Sequence, residues 1–226
     1  MNRICVVSLI FSFCIAVSAG ESPLVVDYCD DGNHQSALGG WWYTYDDSES
    51  GGNSVVLPKP NSFKMTGPGF GKKGYAAQMI VKVGDKLGWD FAGLGFTLTM
   101  NSGCPEAVSM DLREYTKIQF KMKGTLSGGR LIMNLPFTEK CMDMNTPVSL
   151  TEWADYEANL TGKLKPDWTT VTLDLRKDFH QPKWAKQNAI IQIDKVLQNA
   201  KHMNLHFSSP DGDSIEVWID EIEFVK

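Results

Sequence analysis

The chain has 226 residues, 42% of them hydrophobic and 22% charged, and a formal net charge of −5. Its 22 Lys and Arg residues form no basic cluster and are outnumbered by 27 Asp and Glu, which excludes nucleic acid and anionic membrane as natural partners. Beyond the N-terminus no stretch approaches the ~20 apolar residues of a membrane span.

Residues Met1–Ala19 carry one early cation, Arg3, then an apolar run from Ile4 to Val17 and small residues at Ser18 and Ala19, the pattern of a cleaved secretory signal. Cys14 follows Phe-Ser-Phe and not the small residues of a lipoprotein cleavage site, so the expectation is secretion to a periplasm, cell surface or medium without a lipid anchor. The about 207 residues from Gly20 to Lys226 then suit one large all-β domain. Cys29, Cys104 and Cys141 remain after cleavage. Cys104 and Cys141 both lie in turn-like, polar surroundings and are expected to pair, closing a loop of about 38 residues worth roughly 4 kcal/mol. Cys29 would then be a buried free thiol; the alternative is that no bridge forms.

In chain order, Leu24, Val26 and Tyr28 alternate with Val25, Asp27 and Cys29 as a first strand running into the turn Asp30-Asp31-Gly32. Gly39–Ser54 follows, GGWWYTYDDSESGGNS, with four aromatics in five residues. As a strand it points Trp41, Tyr43 and Tyr45 to one side and Trp42 and Thr44 to the other. Since a strand packing one core needs one aromatic face, the second set of rings is either roofed or held out for a ligand. Pro58–Lys73 reads as loop or edge. Ala77–Val83, Leu94–Met100 and Lys117–Met122 alternate cleanly as half-buried strands, and Leu131–Leu135 continues the series.

The pattern lapses over Thr138–Pro166, where Trp153 and Tyr156 have helical spacing and Thr151 is placed to cap a short helix. It returns from Trp168 through Val171, Leu173 and Leu175. A loop over Asp178–Gln187 carries His180, Gln181 and Trp184, and Asp194–Ala200 reads as a helical turn. Met203, Leu205 and Phe207 alternate with Asn204, His206 and Ser208. Asp211-Gly212 reads as a hairpin turn, and Ile215–Phe224 closes the domain. About nine short strands without a repeat predict a two-sheet antiparallel sandwich or jelly roll.

The succession LVVDYCDDG, GGWWYTYDD, the GGNS turn, YTKIQFKMKG, WTTVTLDL and a terminal VWIDEIEF resembles the galactose-binding-like jelly rolls. Among them it is most similar to carbohydrate-binding modules of the family eleven type, which bind β-glucans. The same features resemble complex I intermediate-associated proteins, which share the architecture without the sugar site. Tyr28-Cys29 departs from the Phe-Glu found there in such modules and shifts the acid to Asp30.

The chemistry of a sugar fits independently: flat aromatics suit its apolar C–H faces, and amide, carboxylate or imidazole groups suit its hydroxyl rim. The expected groove is lined by Tyr43, Tyr45, Asp47, Gln119, Lys121, Asn134, Asn204 and His206, with Trp153 and Trp184 as loop walls, while Trp42 and Trp168 go to the core. Each polar member taken alone is also an ordinary solvated strand position. The expected partner is a polysaccharide, a β-glucan by the resemblance, held by a monomer. A glycosidase or lyase is the competing reading, since jelly rolls host both. Asp46 and Asp47, however, are adjacent and point to opposite faces, whereas glycoside hydrolysis needs two carboxyls across a cleft.

In the last strand Asp220 shares parity with Trp218, Ile222 and Phe224, so burying those side chains turns Asp220 inward; Asp30 is in phase with Leu24, Val26 and Tyr28. Two inward acids suit a structural calcium ion, Ca2+, with Asn53 as a further ligand, in keeping with the calcium carried by modules of this kind. The alternative is a bulge that turns Asp220 to water.

Overall fold

Period-two alternation gives each strand one apolar row, and such rows are covered only when two sheets close on each other. The computed structural model describes residues 22–100, 108–138 and 149–226 and shows this closure. One sheet holds β1 (Leu24–Asp27), β3 (Val55–Leu57), β4 (Ala77–Lys82), β6 (Lys117–Leu126), β9 (Thr169–Asp174) and β11 (Ser214–Val225). The other holds β2 (Trp42–Asp46), β5 (Phe91–Thr97), β7 (Arg130–Leu135), β8 (Tyr156–Asn159) and β10 (His202–Ser208). A short helix, α1 (Ile193–Gln198), lies between β9 and β10. All pairings are antiparallel, in the orders β3-β4-β11-β6-β9 and β2-β5-β10-β7-β8, with β1 also on β11.

This is the expected all-β sandwich, with two more strands than the alternation pattern revealed. The core lies between the sheets, where Met79, Val81, Ile118, Phe120, Val217 and Ile219 of the first meet Leu94, Phe96, Leu131, Met133, Leu205 and Phe207 of the second. Trp42 belongs to it as expected. Its indole N–H donates to the Asp27 carboxylate at 2.7 Å, and Asp27 also accepts the Cys29 amide at 2.8 Å. Burial raises the Asp27 pKa despite these donors. Cys29 is a buried free thiol, in a turn at φ 56° just after β1 and not within a strand.

Several expectations change. β10 and β11 belong to different sheets, so Asp211-Gly212 lies in a crossover between layers and not in a hairpin. The residues around Thr151 form a turn, with Glu152 at φ 51° and Trp153 at φ 67°, and Tyr156 opens β8 in place of a helix. Trp168 is half-buried on the outer face of the first sheet, where the Lys123 Nζ sits 4.9 Å from its ring and Phe70 meets it edge-on. The parity of the last strand breaks at a bulge between Asp220 and Glu223, with Glu221 at φ 47°. Ile215, Val217 and Ile219 face the core before it, Ile222 and Phe224 after it, and Trp218 is half-buried on the outer face. Asp220 escapes water all the same, because the loop at Gly69–Phe70 covers it. Cys104 and Cys141, and the N-terminal signal, lie outside the described residues.

Replacing Trp42 by Phe keeps a ring in the core but leaves Asp27 without its side-chain donor. The expected loss, read from urea unfolding midpoints, is about 1–3 kcal/mol; an unchanged midpoint would show that the bond contributes nothing.

Candidate functional site

The outer face of the second sheet carries a tyrosine platform, and glycine makes it possible. Gly93 and Gly95 of β5 stand opposite Tyr45 and Tyr43 of β2. A Cβ on Gly93 would lie 2.2 Å from the Tyr45 Cζ, and one on Gly95 would lie 2.4 Å from the Tyr43 Cζ. Both rings therefore lie down over bare β5 backbone. Their centroids are 6.2 Å apart, and both side chains are half-buried.

The ring series continues past Tyr45. Phe91 lies 6.2 Å from Tyr45 and stacks on His206 at 5.1 Å, and Trp89 stacks on Phe91 at 5.4 Å with a 15° interplanar angle. At the other end Trp41 packs against His34 at 4.4 Å. The two tryptophans are 39% and 56% exposed. Trp89 and Phe91 were not among the expected site residues, although their signal is visible: in Trp89-Asp90-Phe91-Ala92-Gly93-Leu94-Gly95 the outward phase reads Trp, Phe, Gly, Gly.

Beside the rings runs a polar strip. Strand register aligns Tyr43, Gly95, Asn204, Asn134 and Glu157 in one row, and Tyr45, Gly93, His206, Ile132 and Asn159 in the next. The Tyr45 hydroxyl reaches this strip, donating to Asn204 Oδ1 at 2.9 Å and meeting His206 Nδ1 at 3.0 Å. The phenol has one proton, so once Asn204 receives it the imidazole must donate from Nδ1. Burial raises the Tyr45 pKa well above its ordinary value, so the phenol keeps that proton. Burial likewise holds His206 and His202 near a pKa of about 4, with Arg130 and Lys201 respectively adding to the effect. Arg130 is paired with Glu157, and Asp155 accepts from Thr151 Oγ1 and from the Phe137 amide at 3.2 Å. The strip is thus hydroxyl, amide and neutral imidazole, with its cation internally paired.

The structure brings together Tyr43, Tyr45, Asn134, Asn204 and His206, and separates the other candidates. Asp47 is fully buried and tied to the Ser54 amide, the Ser54 hydroxyl and the Phe91 amide at 2.9, 2.6 and 3.0 Å. It fixes the turn that aims Phe91 and has no face toward a ligand. Gln119 and Lys121 belong to β6, on the opposite sheet, where Gln119 bonds Glu223 and Thr172, and Lys121 bonds Thr170 and covers Phe70. Sequence alternation marks a wet face but does not say which sheet owns it. Trp153 and Trp184 are 59% and 62% exposed on loops at the β8 edge, which are clasped by Glu152 bonds to Lys186 and Asn188. Four strand spacings separate β8 from β2, about 19 Å.

Of the expected calcium ligands, Asp30 and Asp220 lie close enough to interact, each against the Gly69–Gly74 loop, but Asn53 is remote from both. Asn53 exchanges hydrogen bonds with Asp85 beyond one end of β4, while Asp220 lies beyond the other, on the order of 20 Å away. Asp220 accepts the Phe70 and Glu221 amides, both at 2.8 Å, and burial lifts its pKa to about 6. Among the described residues no group of three or more acids, histidines or cysteines is placed to hold a metal.

The fold is the two-sheet jelly roll of carbohydrate-binding modules of families 11 and 30. A family 11 module from Clostridium thermocellum, in complex with a β-1,3-1,4-mixed-linked tetrasaccharide, matches at TM-score 0.54 and 15% identity, over 90% of this chain and 95% of that one. A family 30 module matches at TM-score 0.53 and 15% identity, over 89% and 87% of the two chains. A β-1,2-glucanase from Parabacteroides distasonis matches at TM-score 0.50 and 9% identity, over 89% of this chain but 25% of that chain. No protein-family model matches the sequence, and comparison with curated proteins finds no match. Among the described residues no helix is long and apolar enough to cross a membrane.

The shifted groups set an acid response. His202 and His206 stay neutral in the fold down to a pH of about 4 but take up protons near 6.5 when unfolded, so each removes stability as pH falls between those values. Asp220 acts oppositely, gaining stability as pH falls from about 6 toward 3.8. Asp27 and Asp155, whose pKa values burial also raises, act in the same direction as Asp220. Removing Asp220's share in Asp220→Asn is expected to make the melting temperature fall more steeply, or rise less, than the parent's as pH drops from about 6 toward 4. A parallel course in that variant would remove Asp220 from the balance.

Proposed function

We propose that this protein is a non-catalytic, exported carbohydrate-binding module that holds β-glucan chains, mixed-linkage or cellulosic. The observation that carries the reading is the pair of tyrosines laid flat over Gly93 and Gly95 beside the Asn204, Asn134 and His206 strip. Flat rings match the C–H faces of a pyranose, and neutral amide and imidazole groups match its hydroxyls. The paired state of Arg130 favours an uncharged polysaccharide over an acidic one. The mixed-linked tetrasaccharide held by the family 11 module names the ligand to try first. Export rests on the N-terminal apolar run of the sequence. The acids beside the platform are already engaged, Glu157 by Arg130 and Asp155 by Thr151, which supports binding over hydrolysis.

Affinity electrophoresis through mixed-linkage β-glucan and hydroxyethylcellulose tests the reading, with reducing-sugar release assayed in parallel. The purified domain is expected to be retarded without releasing sugar. Tyr43→Ala should lose retardation while melting within a few degrees of the parent, whereas release of reducing ends would make the protein an enzyme.

Gly95→Val tests the platform separately, because its side chain must push the Tyr43 ring off the backbone. Retardation is expected to fall although both tyrosines remain. A Gly95→Val protein that binds as the parent would show that ring posture is irrelevant.

A further inference from the structure

We propose that the bound polysaccharide lies along β2 and β5, parallel to the strands, with Trp41 and Trp89 as the contacts at its two ends. The inference rests on the sugar-binding reading and adds the direction of the chain and the extent of the site.

The rings are not spread across the sheet. They follow its β2–β5 edge: Trp41, Tyr43 and Tyr45 in succession on one strand, then Phe91 on its partner, then Trp89 stacked on Phe91. From the row of Trp41 to that of Phe91 the strand rises on the order of 20 Å, and Trp89 carries the path further. Several linked sugar rings are needed to cover that length. Across the strands the Trp, Tyr and Phe rings stop at once, since the next positions beyond Gly95 are Asn204, Asn134 and Glu157, and those beyond Gly93 are His206, Ile132 and Asn159. A chain running along the edge keeps its faces over rings throughout, with its hydroxyl rim against the polar strip. A chain crossing to Trp153 and Trp184 would traverse the Arg130–Glu157 pair, where no ring face is offered.

Both end residues are built to be met from outside. Trp89 uses one face on Phe91 and leaves much of its surface to solvent, and Trp41 is braced by His34 while remaining open. With an exposed ring at each end, the path suits the interior of a chain more than its terminus.

Isothermal titration with the cello-oligosaccharide series, cellobiose to cellohexaose, and the matching mixed-linkage oligosaccharides decides the matter. The variants are Trp41→Ala, Trp89→Ala and the double variant Trp153→Ala/Trp184→Ala, each checked by thermal melting. Affinity of the parent is expected to rise with length. Each end variant should weaken the longest oligosaccharide roughly three- to tenfold and leave the shortest within about twofold, since one ring face contributes on that scale. The double variant should bind as the parent. Loss in the double variant with parent-like Trp41→Ala and Trp89→Ala would turn the chain across the sheet and overturn the proposal while sparing the function. End variants that all bind as the parent would also overturn it, confining the site to the tyrosines. A parent that binds none of these sugars would overturn both readings.

Discussion

The Tyr45 ring rests against the backbone of Gly93, and Tyr43 rests in the same way on Gly95. Any side chain at either glycine would enter a ring, so the platform depends on two positions where the strand gives up its own packing. Glycine in a strand interior weakens it and often marks close approach of another group. Here that group is an aromatic ring, and both glycines are nonetheless buried. The ring replaces the missing side chain as cover for the ladder. Sheet cover and the proposed ligand surface are therefore the same contact viewed from below and from above.

That economy extends to the polar strip. The Tyr45 hydroxyl ties β2 to β10 through Asn204 and His206, so the platform and its rim move as one body. Groups already oriented by hydrogen bonds lose little freedom on meeting a ligand, which favours affinity without added contacts. Asp47 has a parallel role one turn further on, where its carboxylate holds Ser54 and Phe91 in place. It supports the platform from within the core.

Much of this was legible in the residues. Alternation of Met203, Leu205 and Phe207 against Asn204, His206 and Ser208 gave both the strand and its polar face, and the doubled aromatic face of Trp41–Tyr45 announced the outer ring platform. Period-two patterns assign a face but not a sheet, which is why Gln119 and Lys121 joined a groove on the wrong side of the molecule. They also assume unbroken phase. The bulge at Glu221 flips the end of β11, so Trp218 and Asp220 face the outer side, where the Asp220 carboxyl accepts the Phe70 amide and lies far from Asn53. The rings at Trp89 and Phe91 escaped notice because glycines separated them from any apolar run. A turn of two successive residues at positive φ, Glu152 and Trp153, carries no glycine to announce it.

β11, at the C-terminal end of the sequence, is also the hinge of the architecture. It pairs with β4 over its first half, with β1 over its second, and with β6 along nearly its whole length. Neither β1 nor β4 contacts β6 without it in the ladder order. Because a ribosome delivers the chain from its N-terminus, the first sheet lacks its central member until Ser214–Val225 emerge. Until then, Met79, Ile118 and Phe120 have a row to bury and no completed layer in which to bury it. Closure of this sandwich consequently waits on its last strand, and the open strand edges of the earlier ones must be kept from pairing with neighbours until β11 arrives.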